Sequence, residues 1–115
     1  MNIVVVQGML SSEPTERTLA SGVTVTNWDV AVETDGDKQS VPVVWNDAPK
    51  SVQAYDKGDK VVVLGSVNRR YFTVGGSTAS RTEVVGEAVA KPTQKVRAGR
   101  IFERARLGLS EQGEP

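Results

Sequence analysis

The chain has 115 residues, with 14 Lys/Arg balanced by 14 Asp/Glu and neither cysteine nor histidine. One domain around one core fits that length, and the missing residue types exclude thiolate chemistry, disulfide staples, Cys/His zinc sites and His-based catalytic triads. A sequence pI of about 6.3 lies below the ~9 of a strongly basic nucleic-acid-binding domain, but the charge is uneven: residues 1–90 carry eight Lys/Arg against eleven Asp/Glu, and 91–115 carry six against three.

The opening MNIVVVQG has no basic segment, and its apolar run is too short for a signal peptide or a membrane span, so a soluble cytoplasmic protein is expected. Through the first ninety residues β-branched and polar side chains alternate, and Gly, Ser, Asn and Asp interrupt them at the spacing of a small all-β barrel. Asn2 to Leu10 reads as the first strand, Ser11 to Pro14 as a turn, and Thr15 to Leu19 as a continuation after a bend. Gly22 supplies the positive φ that the next turn needs. The second strand runs from Val23 to about Glu33. Its apolar residues change parity between Val25 and Trp28, which predicts a β-bulge near Thr26-Asn27 and leaves Trp28, Val30 and Val32 on the core face. After the turn Asp35-Gly36-Asp37, the third strand covers about Gln39 to Trp45, with Pro42 at an edge or bulge because it has no ladder donor.

Asn46 to Lys57 reads as one short helix: Asp47 can cap it, Pro49 suits its first turn, Val52 and Tyr55 share a side, and Gly58 can end it. The fourth strand is Lys60 to about Thr73 and the fifth is Arg81 to Val89. The predicted fold is therefore an all-β, five-stranded barrel over residues 1–90 with one short helix between strands three and four, the element order of the OB-fold. Beyond Lys91-Pro92, Val96, Ile101, Phe102 and Leu107 lie among Lys95, Arg97, Arg100, Arg104 and Arg106, with Gly99 weakening any helix. Residues 91–115 are expected to be a basic extension, partly ordered at most, that is solvated, reaches phosphates or contacts another copy.

The stretch with the most chemistry is Lys57 to Val85, KGDKVVVLGSVNRRYFTVGGSTASRTEVV, where Arg69, Arg70, Tyr71 and Phe72 stand beside the Gly75-Gly76 turn. Aromatic and cationic side chains near a hairpin tip can stack bases and neutralise phosphates. Parity puts Asn68, Arg70 and Phe72 on one face and Arg69, Tyr71 and Thr73 on the other. Arg69 and Tyr71 read as edge solubilisers or interface residues, and Trp45 as either a core residue or a stacking ring. The carboxylate pairs Asp35/Asp37 and Asp56/Asp59 sit in polar turns without the apolar shield that acid–base catalysis requires, so no enzyme is expected.

MNIVVVQGML with Pro14 and Arg17, the run SGVTVTNWDVAV at 21–32, VPVVW at 41–45 and the Lys57–Val85 hairpin together resemble the bacterial single-stranded DNA-binding protein family, over Met1 to about Val89. The resemblance implies an OB-fold homotetramer that coats single-stranded DNA in replication, recombination or repair, nucleoid-associated in the cytoplasm, with no cofactor, metal, membrane or small-molecule substrate. It implies that Trp45 and Phe72 stack bases and that Arg70 and Lys57 are cations on the strand path. The chain departs from the family pattern at Gln39, where a further aromatic often stands, and at Asp47, where a basic residue often does. Val41 and Val43 share Trp45's parity, so a binding face there is expected to be apolar. The family's acidic tail ending in Pro-Phe is replaced by Ser110-Glu111-Gln112-Gly113-Glu114-Pro115. The alternative is an OB-fold interaction module of a primosome-like assembly, in which nucleic-acid binding is secondary.

Overall fold

The structure is a computed structural model that describes residues 1–112, with side chains described through residue 108. Six strands, β1 (Val4–Leu10), β2 (Thr15–Thr18), β3 (Thr24–Thr34), β4 (Asp37–Asn46), β5 (Lys60–Val74) and β6 (Ser77–Ala90), precede one helix, α1 (Lys95–Gln112). The sheet order is β1-β5-β6-β4-β3-β2. Pairing of Met9 with Ala31 and Leu10 with Val30 brings β1 onto β3 and closes a five-stranded barrel, with β2 an added ribbon on β3. Thr15–Thr18 is thus a strand of its own rather than a continuation of β1.

Two tight turns follow from the residues that form them. Asp35-Gly36 and Gly75-Gly76 all take positive φ, the geometry of two-residue hairpin loops whose twist matches the flanking strands. Glycine also permits closure where strands cross closely: a Cβ at Gly8 would collide with the Ala31 carbonyl oxygen, and one at Gly65 with that of Val85. At Gly65 the β5–β6 register shifts. Leu64 pairs with Ala88 and Gly65 with Gly86, leaving Glu87 as an extra residue, the mark of a β-bulge.

The bulge expected at Thr26-Asn27 is absent, because β3 and β4 pair without interruption from Val25↔Asn46 to Thr34↔Asp37. Parity alone misleads there, since Thr26 and Trp28 face the interior while Val25 is buried on the opposite face, and both faces of this end of β3 are covered. Inside, Gln53 Nε2 donates to the Thr26 hydroxyl at 2.9 Å, satisfying a buried polar group. Pro42 falls on the part of β4 that pairs with β3 alone, a position that suits its missing donor.

The α-helix expected between the third and fourth predicted strands is not formed; the α-helix lies after β6. Between β4 and β5 there is only a 3-10 turn, Lys50–Ala54, entered through Pro49 with no side-chain cap. Asp47 is diverted from capping: it takes φ 50° and its Oδ1 accepts from the Thr24 backbone N–H at 3.2 Å and the Thr24 hydroxyl at 3.3 Å. Val52 and Tyr55 nevertheless share one side and are both buried, as residues three apart on a 3-10 turn must be.

The barrel interior holds Leu10, Trp28, Val30, Val43, Trp45, Val61, Val63 and Val84, with Val52 and Tyr55 plugging one end. The run Val61-Val62-Val63-Leu64 is apolar at every position because β5 is covered on both faces. Val61 and Val63 face the interior; Val62 and Leu64 face outward and meet Ala98 and Ile101 of α1. Residues 95–112 are therefore more ordered than expected of the C-terminal extension. Ala98, Ile101 and Ala105 recur at helical spacing and form the buried stripe, and burial overcomes the ~1 kcal/mol that Gly99 costs a helix relative to alanine. Phe102 and Leu107, by contrast, are exposed.

Candidate nucleic-acid interface

Beyond the barrel, β5 and β6 continue as a two-stranded arm paired to its tip, Val74 with Ser77. The face predicted from parity is present: Asn68, Arg70 and Phe72 stand opposite Glu83, Arg81 and Ala79. Arg70 is the hub of this face. Its Cζ lies 5.4 Å from the centroid of the Phe72 ring, and its Nε is 3.5 Å from Glu83 Oε1. Glu83 is buried and also accepts from Asn68 Nδ2 at 3.4 Å, so the carboxylate fixes the guanidinium against the half-buried ring. Arg81, directly across the ladder from Arg70, adds a second guanidinium. Like charges at such a site destabilise a sheet by some tenths of a kcal/mol; Glu83 offsets this at Arg70, and no ion pair among the described residues involves Arg81.

At the base of the arm this face opens into a cleft of about 230 Å³, walled by Arg17 of β2, Val44 and Asn46 of β4, and Asn68, Arg70 and Glu83. The combination offers one aromatic face, three guanidiniums and two side-chain amides against a single carboxylate. Such a surface can stack a base and hold phosphate oxygens. None of it is a nucleophile next to a base.

On the arm's other face, Arg69 is held by the Ser80 hydroxyl, with Nη2 donating at 3.1 Å and Nε at 3.3 Å. Tyr71 beside it is 67% exposed, with its ring free. Lys57 is brought to neither face. It lies in the loop before β5, where its backbone N–H donates to Glu13 at 3.2 Å, and about 40 Å of strand, at ~3.3 Å per residue, separates the start of β5 from Phe72.

Trp45 is in the interior rather than on the expected binding face. It is 3% exposed and packs edge-on against Trp28, with ring centroids 5.5 Å apart. A Cβ on Gly86 would come within 2.5 Å of its indole, so the ring also fills the space over that glycine. Parity is the cause: Val43 and Trp45 point inward, and Val44 and Asn46 form the outer surface. The apolar face expected from Val41, Val43 and Trp45 belongs to the core.

Arg17, Asn46 and Arg81 did not stand out as site residues in the sequence. Arg81 was accessible there, because a two-residue turn at Gly75-Gly76 makes residues 70 and 81 partners. Arg17 was not, since only the β2–β3 pairing brings it near the arm.

No curated protein matches the chain. The family model for the single-strand binding protein family matches residues 1–91, which span all six strands and the arm and stop short of α1. With its closed barrel, its projecting hairpin and this match, the chain belongs to the single-strand binding protein family.

Proposed function

We propose that the protein coats single-stranded DNA without sequence preference, in replication, recombination or repair, and that the arm face and the cleft at its base form the contact. The observation that carries this reading is Phe72 framed by Arg70 and the opposed Arg81. Bases stack on the Phe72 ring, and on Tyr71 where the strand crosses the arm, each worth ~1–3 kcal/mol. Arg17, Arg70 and Arg81 neutralise phosphates, and the Asn46 and Asn68 amides add hydrogen bonds. Stacking and phosphate contact carry no base identity, so the binding is sequence-tolerant. Trp45 acts from behind, as core support for β4 and β6.

A homo-oligomer, with a tetramer as its expected form, completes the reading. Apart from Met9 and Leu10, β1 pairs with β5 alone, so Val4 to Gln7 present an open edge that a second copy can extend. A cytoplasmic, nucleoid-associated location and the lack of enzymatic activity follow from the same reading. The alternative, an OB-fold module that mainly assembles proteins, draws support from Val67, Tyr71 and Val74, exposed on the arm.

Both tryptophans are buried, so a labelled oligo-dT read by fluorescence anisotropy is a better probe than intrinsic fluorescence. Three phosphate contacts give a log–log salt slope near −2, at ~0.7 per contact for single strands. An anisotropy that does not change at low salt would favour the interaction module.

A further inference from the structure

Three of the chain's cations stand apart from the arm. Arg97, Arg100 and Arg104 follow one another at i, i+3 and i+7 on α1, along one flank of the stripe that packs on the barrel. They overhang a cleft of about 280 Å³ whose other walls are Glu87 and Val89 of β6, the 3-10 turn at Ser51, and Trp45. Arg104 Nη2 is 3.8 Å from Glu87, the bulged residue of β6. Among the described residues, no carboxylate comes within ion-pair distance of Arg97 or Arg100. The row spans about 10 Å of helix, at ~1.5 Å per residue, so the guanidiniums repel one another across a cleft that holds one carboxylate.

A solvated basic helix would put its cations on the side away from the barrel. Here the exposed surface of α1 carries Val96, Leu107 and the Glu103–Arg106 pair, while Arg97, Arg100 and Arg104, also exposed, border the cleft. The position of the cleft points to its occupant. On β6 the arm-base cleft is lined as far as Val85 and this one from Glu87; at the end of β4 the first is lined by Val44 and Asn46 and the second by Trp45 and, beyond the strand, Pro49. Two residues of strand amount to about 7 Å, a gap that one phosphodiester step of a polyanion lying in the first cleft can bridge to the second.

We propose that the cleft under Arg97, Arg100 and Arg104 is a second phosphate-binding site, which takes the backbone of the same single strand as it leaves the arm. The proposal rests on the reading of the arm as a single-strand site and extends the path onto α1, outside the segment that the family model matches. Arg97 and Arg100 hold phosphate oxygens, Arg104 joins them on release from Glu87, and the Ser51 hydroxyl supplies a further donor.

The test compares the full-length chain with Arg97→Gln/Arg100→Gln and Phe72→Ala. Each is titrated with labelled oligo-dT from the short and the long end of the ~4–16 nucleotides an OB fold engages. Glutamine forms helix about as well as arginine, and far-UV circular dichroism checks that α1 is kept. The double variant should bind the short oligonucleotide like the wild type, weaken for the long one, and lose ~1.4 from the salt slope of the long one, two contacts at ~0.7 each. Arg97→Lys/Arg100→Lys should keep the wild-type slope. A double variant with unchanged affinity and slope on the long oligonucleotide overturns the proposal. If Phe72→Ala still weakens both lengths in that case, the arm reading stands without it. If Phe72→Ala changes nothing while the double variant weakens binding, the cleft binds phosphates by itself, and both the arm reading and the continuous path from it are overturned.

Discussion

Replacing Trp45 with alanine separates a core residue from a binding residue more cleanly than any other change in this chain. The side chain is 3% exposed, meets Trp28 edge-on at 5.5 Å, and covers Gly86. Truncating a large buried aromatic costs ~3–5 kcal/mol through lost transfer energy and the cavity left behind. The aromatic pair accounts for about 0.5–1.5 kcal/mol of interaction beyond area burial. At roughly 4 °C per kcal/mol for a domain of this size, the melting temperature should fall by about 12–20 °C. Thermal and urea unfolding followed by circular dichroism read this directly, with oligo-dT affinity measured well below the midpoint. The folded fraction of the variant should keep near-wild-type affinity. A variant that melts like the wild type and loses single-strand binding would refute the interior placement of Trp45.

Gly99 lies in the second turn of α1, and a Cβ there would meet no atom within 4 Å, so Gly99→Ala should stabilise the protein by about 0.4–1 kcal/mol; a lower urea midpoint would contradict the helix. Glu103 is held below its ordinary pKa by the hydrogen bond and charge of Arg106, at 2.6 and 3.1 Å. A carboxylate with a depressed folded pKa contributes above its unfolded value and loses that contribution as pH falls through the folded one. The Glu103 carboxyl, followed by NMR at low salt, should therefore titrate below the ordinary carboxylate range, and Arg106→Gln should return it towards that range; identical titration curves would contradict the pairing. Light scattering at micromolar concentration should return a homo-oligomer, and Val5→Pro, which puts a proline on β1, should lower its mass; a wild-type monomer would remove the edge-pairing reading.

Much of the barrel is legible in the sequence because it rests on local rules. Alternation and turn chemistry locate β3 to β6, and the paired glycines at 75 and 76 set the arm's register and hence the face shared by Arg70 and Phe72. Alternation also puts Trp28, Val30 and Val32 on the core face, where they lie; what fails is the placement of Trp45, of the bulge and of α1, where local pattern does not say which face is covered. Val41, Val43 and Val44 are apolar on both parities, so nothing local says that Trp45 points inward; the parallel contact of β4 with β6 decides it. The helix α1 is hidden because Gly99 and its arginines dilute the amphipathic pattern, and its partners Val62 and Leu64 lie far away in sequence. The unbroken apolar run at 61–64 was the available clue, since a strand apolar on both faces needs a cover on its outer side. Asp47 carries a cap signature that its bonds to Thr24 override.

The most direct test of the central claim is the affinity of Phe72→Ala and Arg81→Gln for oligo-dT, measured across salt concentrations beside the melting temperature of each. Phe72→Ala should lose ~1–3 kcal/mol of binding with its salt slope kept, the signature of a lost stacking ring. Arg81→Gln should flatten the slope by ~0.7, one phosphate contact, and both should melt close to the wild type because the arm lies outside the core. Wild-type affinity and slope in both variants would contradict the assignment of single-strand binding to this face.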